Sequence, residues 1–232
     1  ESASFPIITT NLLGNPVPNI SGDVSLFKRT YTTIKKKGVD GFFYYDSSFD
    51  DQLIKNVNFV SGSDGRTQVA FTIADGGDYH VVARVRDNKQ HEAKAAANIT
   101  VSSEQYVSWG RENNDRMEII PDKKSYSIGD TAKLVVKSPY AGVKALLTIE
   151  RNNVIEKRIV DLPTTATVLE VPLTAAYLPN VFVSVVAVKG YGQDKEPGFK
   201  IGYVNLRIDN IARALKIKMT PDKTIYNPQD QV

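Results

Sequence analysis

The side chains able to do acid, base, nucleophilic or metal chemistry are all present except one kind, but their spacing does not group them. His80 and His91 are the only histidines, and neither has a partner at the i, i+4 spacing that sets two ligands on one helical face around zinc. His80 follows Tyr79 on an alternating stretch, so it is expected to face outward where Tyr79 faces in. Asp46, Asp50 and Asp51 are dense enough for a calcium loop, yet they lack the Asp-x-Asp-x-Asp-Gly spacing that wraps oxygens round a hard cation, which leaves a solvated loop. Serine, histidine and aspartate occur without the Gly-x-Ser-x-Gly turn that exposes a nucleophile. Paired carboxylates for glycoside hydrolysis would need a cleft that nothing here supplies. Cysteine is absent, so neither disulfide nor thiol chemistry operates within these residues. The expectation is therefore no catalytic residue, no cofactor, no metal ligand and no enzyme.

Other conspicuous residues read as structural. Glu150-Arg151 closes an apolar run and is expected to face water or a neighbouring domain. In Phe42-Phe43-Tyr44-Tyr45, alternation sends one pair inward and leaves at most two rings on the surface, too few for a sugar-stacking platform. Asn19-Ile20-Ser21 and Asn98-Ile99-Thr100 are glycosylation sequons at the frequency chance provides. Lys35-Lys36-Lys37 is the only basic run and reads as a solvated loop. A net charge of +3, from 29 basic and 26 acidic side chains, is too small to imply nucleic acid or an anionic membrane as partner. No apolar stretch reaches the roughly 18 residues of a membrane span. The chain opens on Glu1 without a signal-peptide pattern and reads as a piece of something larger.

The elements that must carry these residues are announced by a repeat. Met117-Glu-Ile-Ile-Pro-Asp-Lys-Lys-Ser-Tyr-Ser-Ile-Gly-Asp130 returns as Ile217-Lys-Met-Thr-Pro-Asp-Lys-Thr-Ile-Tyr-Asn-Pro-Gln-Asp230, 100 positions later. That period is the length of one β-sandwich, not of a short solenoid unit. β-Branched and aromatic residues alternate with polar ones in both halves, between Gly, Pro, Asn and Asp turns. Strands are expected over 6–10, 23–31, 41–45, 54–60, 68–73, 79–85 and 95–101, then over 116–120, 131–137, 144–151, 154–160, 167–171, 181–188 and 201–208, with no helix. Tyr79, just after the Asp75-Gly76-Gly77 turn, has the setting of a tyrosine corner. Tyr126 is expected to drop inward, with Gly129 turning the chain. Trp109, the only tryptophan, either anchors an interface between sandwiches or covers the end of one.

These residues carry a resemblance. Trp109, Pro121-Asp122-Lys123, Tyr126, Gly129-Asp130, Ser138-Pro139-Tyr140, the run from Ala145 to Arg151, Pro179-Asn180-Val181-Phe182-Val183-Ser184 and Gly202-Tyr203-Val204 together resemble the bacterial members of the α2-macroglobulin family. The resemblance implies an all-β fold of tandem seven-stranded antiparallel sandwiches of immunoglobulin or fibronectin type III kind, the macroglobulin domains. Residues 1–104 would form one that lacks its first strand, since Glu1 falls where a second strand should begin. Residues 105–210 would form a complete one, and 211–232 would open a third. The family implies a broad-spectrum protease inhibitor that works by entrapment, in the periplasm or secreted, with target proteases and neighbouring macroglobulin domains as partners and any membrane anchor elsewhere. Its bait is expected beyond Val232, and its thioester needs a cysteine that this chain lacks. The chain would then be scaffold, with linkers at 104–114 and 209–214 as the places where sandwiches adjust. The alternative is an adhesive or ligand-binding array of immunoglobulin-like modules on a bacterial surface, because such folds host many functions.

Overall fold

The computed structural model describes residues 2–39, 41–87, 89–192, 196–209, 217–218 and 220. The strand expected within 211–232 therefore lies outside the described residues but for Ile217, Lys218 and Thr220. The first half holds β1 (Ser2–Ile8), β2 (Ser21–Lys37), β3 (Phe43–Val60), β4 (Arg66–Thr72), β5 (Gly77–Arg86) and β6 (Glu92–Val101). They form a two-stranded sheet β1-β4 and a four-stranded sheet β3-β2-β5-β6, antiparallel throughout. Val24, Leu26, Phe59, Phe71, Tyr79 and Val81 fill the space between them.

The second half holds β7 (Glu118–Pro121), β8 (Thr131–Lys137), β9 (Val143–Glu150), β10 (Val154–Leu162), β11 (Ala166–Pro172), β12 (Asn180–Lys189) and β13 (Gly198–Arg207), with a single turn of 3-10 helix at Ala175–Tyr177. Sheets β11-β8-β7 and β10-β9-β12-β13 close on a second core. The pleat explains which residues enter it. In β8, Ala132, Leu134 and Val136 are fully buried while Thr131 and Lys133 face solvent, and each Leu- or Val-sized side chain so buried contributes roughly 1.5–3 kcal/mol.

The repeated phrase locks a corner of this sandwich. The Tyr126 hydroxyl donates to Asp122 Oδ1 at 2.7 Å and accepts from the Lys123 amide at 3.2 Å. Asp122 Oδ1 also takes the Lys133 amide at 2.9 Å, and Lys123 reaches Asp130 at 3.0 Å. Gly129, at φ +92°, supplies the left-handed residue that the turn between them requires. In the first half Tyr79 donates to the Asp75 carbonyl at 2.9 Å, the geometry of a tyrosine corner.

The first half departs from the sequence reading in one region. The expected strands 41–45 and 54–60 are one strand, β3, paired with β2 along its length from Ser21↔Val60 to Lys37↔Phe43. β5 accompanies β2 only over Gly22↔Val85 to Arg29↔Asp78, so residues 30–37 and 43–50 stand out as a two-stranded ribbon. A ribbon has no inner face. Phe42, Phe43 and Tyr44 are all exposed, one ring more than alternation over a core would leave. Asp46, Asp50, Asp51 and Lys35 to Lys37 accordingly lie on strands and not in loops.

Candidate functional site

The segment 102–115 joins β6 to β7, and its side chains bond to both sandwiches. Trp109 is 7% exposed, and its Nε1 donates to the Thr165 carbonyl at 2.6 Å. Thr165 Oγ1 donates to the Val107 carbonyl and accepts from its amide at 2.7 and 2.9 Å, so the connection is pinned to the turn between β10 and β11. Of the two places open to it from sequence, Trp109 occupies both: it covers the end of the second sandwich at the junction with the first. Next to it Gly110 packs against the Tyr31 ring, where a Cβ would come within 2.8 Å.

Beyond Gly110 the segment runs along the outer edge of β3. Arg111 uses its amide and carbonyl on Ser47 Oγ at 2.9 and 3.0 Å. The Asn113 amide imitates a strand partner, accepting from the Tyr45 amide at 2.6 Å and donating to its carbonyl at 2.7 Å. The Arg111 guanidinium stacks 5.0 Å from the Tyr45 ring centroid and donates to the Pro139 carbonyl at 3.2 Å. Three elements of two sandwiches thus meet on one strap.

A charge pair crosses the same junction. Lys137 on β8 bonds Asp78 on β5 at 2.8 Å, with their side chains only 12% and 15% exposed. Asp78 is further held by Tyr31 at 3.1 Å and Thr100 at 2.6 Å, and Lys137 by Glu118 at 2.6 Å. The Lys137 ammonium also lies 4.8 Å over the Trp109 ring, a contact that gains strength out of water. Burial alone would disfavour its charge, but the bonds to Asp78 and Glu118 outweigh that and hold its pKa above the usual lysine value. Burial, with the Asp78 carboxylate beside it, pushes the Tyr31 hydroxyl upward as well. At the ribbon, Lys35 reaches Glu196 in the second half.

Clefts of about 700 and 570 Å³ flank the junction. Their charged linings, Arg111, Glu118, Lys137 and Lys200 among them, are bonded to protein groups already. Of the residues that sequence singled out for chemistry, His80 lines the second cleft and bonds Asn98 at 2.7 Å, while His91 lies against Asp87 at 2.7 Å and Asp46 against Lys36. Asp51 forms a two-point pair with Arg29 at 2.7 and 2.8 Å, which holds its carboxyl below the usual range. Glu150 takes the Thr148 hydroxyl, and Arg151 caps the Leu178 carbonyl. Among the described residues no three His, Cys, Asp or Glu converge for a metal. Asp78 and Lys137 escaped the sequence reading because they are ordinary outward strand residues, and only apposition of the sandwiches makes them partners.

Fold and junction together define two antiparallel β-sandwiches in tandem. Residues 117–232, half of the chain, match the family model described as the alpha-2-macroglobulin bait region domain, and the chain belongs to the alpha-2-macroglobulin family. An alpha-2-macroglobulin homolog of Nostoc sp. is 25% identical over 179 residues, 73% of this chain and 9% of the relative. The alpha-2-macroglobulin of Xylella fastidiosa (strain 9a5c) is 32% identical over 131 residues, 53% of this chain and 8% of the relative. Among solved structures, the native conformation of E. coli alpha-2-macroglobulin is matched at 18% identity and a TM-score of 0.39, over 91% of this chain and 13% of that one. The chain spans about a tenth of the length of the curated relatives it matches.

Proposed function

We propose that this chain is a scaffold segment of an α2-macroglobulin-like protease inhibitor that works outside the cytoplasm by entrapment, with bait and thioester in other parts of the parent chain. In this reading residues 1–104 and 105–210 act as macroglobulin domains and 211–232 opens a third. The chain performs no catalysis; it transmits force. The observation that carries the reading is the junction: a family member whose two sandwiches are joined by a bonded strap and a buried ion pair can pass a displacement from one to the next. A loose tether could not. Rearrangement after bait cleavage would need such joints, since rigid bodies amplify a local change only through interfaces with discrete packings. The linker at 104–114 then serves as a coupling, a firmer role than free adjustment.

The test is to incubate the 232-residue chain with serine, cysteine and metalloproteases and to follow both residual activity and the first cut. No inhibition is expected, with no cut shared by all proteases before Val232. Stoichiometric inhibition would overturn the scaffold reading. A single shared early cut within 117–232 would instead move the bait into this chain, as the matched domain's name invites, and overturn its placement beyond Val232.

A further inference from the structure

The two clefts at the junction balance their charges differently. The smaller is lined by Arg29 and Lys137 against Asp78, Glu118 and Asp122, and both its cations are paired with carboxylates, Arg29 with Asp51 and Lys137 with Asp78 and Glu118. The larger, about 700 Å³, is lined by Arg111, Arg116, Lys137 and Lys200 against Glu112 and Glu118. Glu118 is taken by Lys137, and Glu112 Oε2 accepts the Asn114 side-chain amide at 2.6 Å. Arg111, Arg116 and Lys200 are left with no carboxylate bonded to them among the described residues.

Each of the three reaches the cleft from a different element. Arg111 lies on the strap, and among the described residues its guanidinium meets only the Pro139 carbonyl and the Tyr45 ring. Arg116, just before β7, donates its amide to Asn114 Oδ1, and its guanidinium has no partner among the described residues. Lys200 on β13 gives its ammonium to the carbonyls of Glu112 and Asn114. Backbone pairing keeps the last two together, because Arg116 is bridged to Ile201, the neighbour of Lys200.

Carbonyl dipoles compensate an ammonium less than a carboxylate does, and burial makes the shortfall count. Lys200 shows it. Burial first, with the Arg111 charge beside it, holds its pKa below the ordinary lysine value in spite of Asp115 and Glu112, which pull the other way. An oxyanion in the cleft reverses that balance, and each guanidinium can offer a phosphate or carboxylate two donors at once. The walls suit a small molecule: Tyr31, Phe49 and Trp109 supply apolar surface, and a cavity of this size between domains is a usual setting for one.

We infer that this cleft binds a small polyvalent oxyanion, carrying phosphate or carboxylate groups, among Arg111, Arg116 and Lys200. The ligand ties the strap to β13 and lies against Tyr31 and Phe49 of the first sandwich, so its occupancy holds the two sandwiches together more firmly. No part of this depends on bait, thioester or protease.

Trp109, the only tryptophan, lines the cleft and reports on it. Titration of the 232-residue chain with pyrophosphate and with citrate, at constant ionic strength, is expected to change its fluorescence saturably, with one site by calorimetry. The tighter probe names the oxyanion. Arg116→Gln breaks no side-chain bond among the described residues, so it should melt with the unaltered chain, yet bind about tenfold more weakly. Adding Lys200→Gln is expected to abolish binding. Lys55→Gln removes the same charge outside the cleft and is expected to change nothing. Absence of binding for both probes would overturn the inference. So would equal weakening by Lys55→Gln and Arg116→Gln, which marks diffuse attraction, or an Arg116→Gln chain that binds as tightly as the original.

Discussion

Tyr126 shows what the repeated phrase is for. Its ring is buried, and its hydroxyl holds Asp122, which in turn holds β8 through Lys133. Tyr126→Phe keeps the ring and loses the hydroxyl bonds, so a loss of about 1–2 kcal/mol is expected in urea unfolding of the second sandwich. Burial first, and the bond to Asp122 second, push the Tyr126 hydroxyl up to about 12 from an ordinary value near 10. A folded-state value raised in this way gives stability that is full below about pH 10 and is lost as pH climbs toward 12. Circular dichroism should therefore show alkaline unfolding in that window, and a shallower slope with Tyr126→Phe. The inward ring and the Gly129 turn were legible in sequence, because the repeated phrase is local; the hold of Asp122 on the Tyr126 hydroxyl and the Lys133 amide emerged only from the structure. Asp78 and Lys137 were not legible, being 59 positions apart with no local pattern to tie them.

At the level of elements, strands over a core were read closely and strands without one were not. β8 coincides with the expected 131–137 because its alternation is imposed by burial on one face. β3 was split in two because Asp46, Asp50 and Asp51 look like a break, and in the ribbon nothing selects against polar residues on either side. There the pairing is held by cross-strand partners, Thr33 with Ser47 at 2.8 Å and Lys36 with Asp46, while at its base Arg29 pairs with Asp51 and stacks 3.9 Å over Phe49. The strap depends on the ribbon's edge in the same way. Asn113→Ala removes both bonds to Tyr45, and the expected result is faster tryptic cleavage after Arg111, with the melting of the second sandwich unchanged.

For the molecule as a whole, the junction decides whether two sandwiches move as one body. Lys137→Met strands the Asp78 carboxylate in a site it shares with Tyr31 and Thr100, and removing one partner of a buried pair costs about 3–5 kcal/mol. Calorimetry should then resolve two melting transitions in place of a coupled one, with a larger radius of gyration in solution scattering. Asp78→Asn added to Lys137→Met should recover part of the coupling, since the stranded charge is gone. The same pair bears on how such an array could be inherited. Sandwiches of one period look like interchangeable beads, free to be duplicated, deleted or reordered. With half of a buried ion pair on each side of the joint, they are keyed to their neighbours: a chimera that seats either one beside a stranger inherits an unmatched charge, and the order of the beads is fixed by a lock and not by the string.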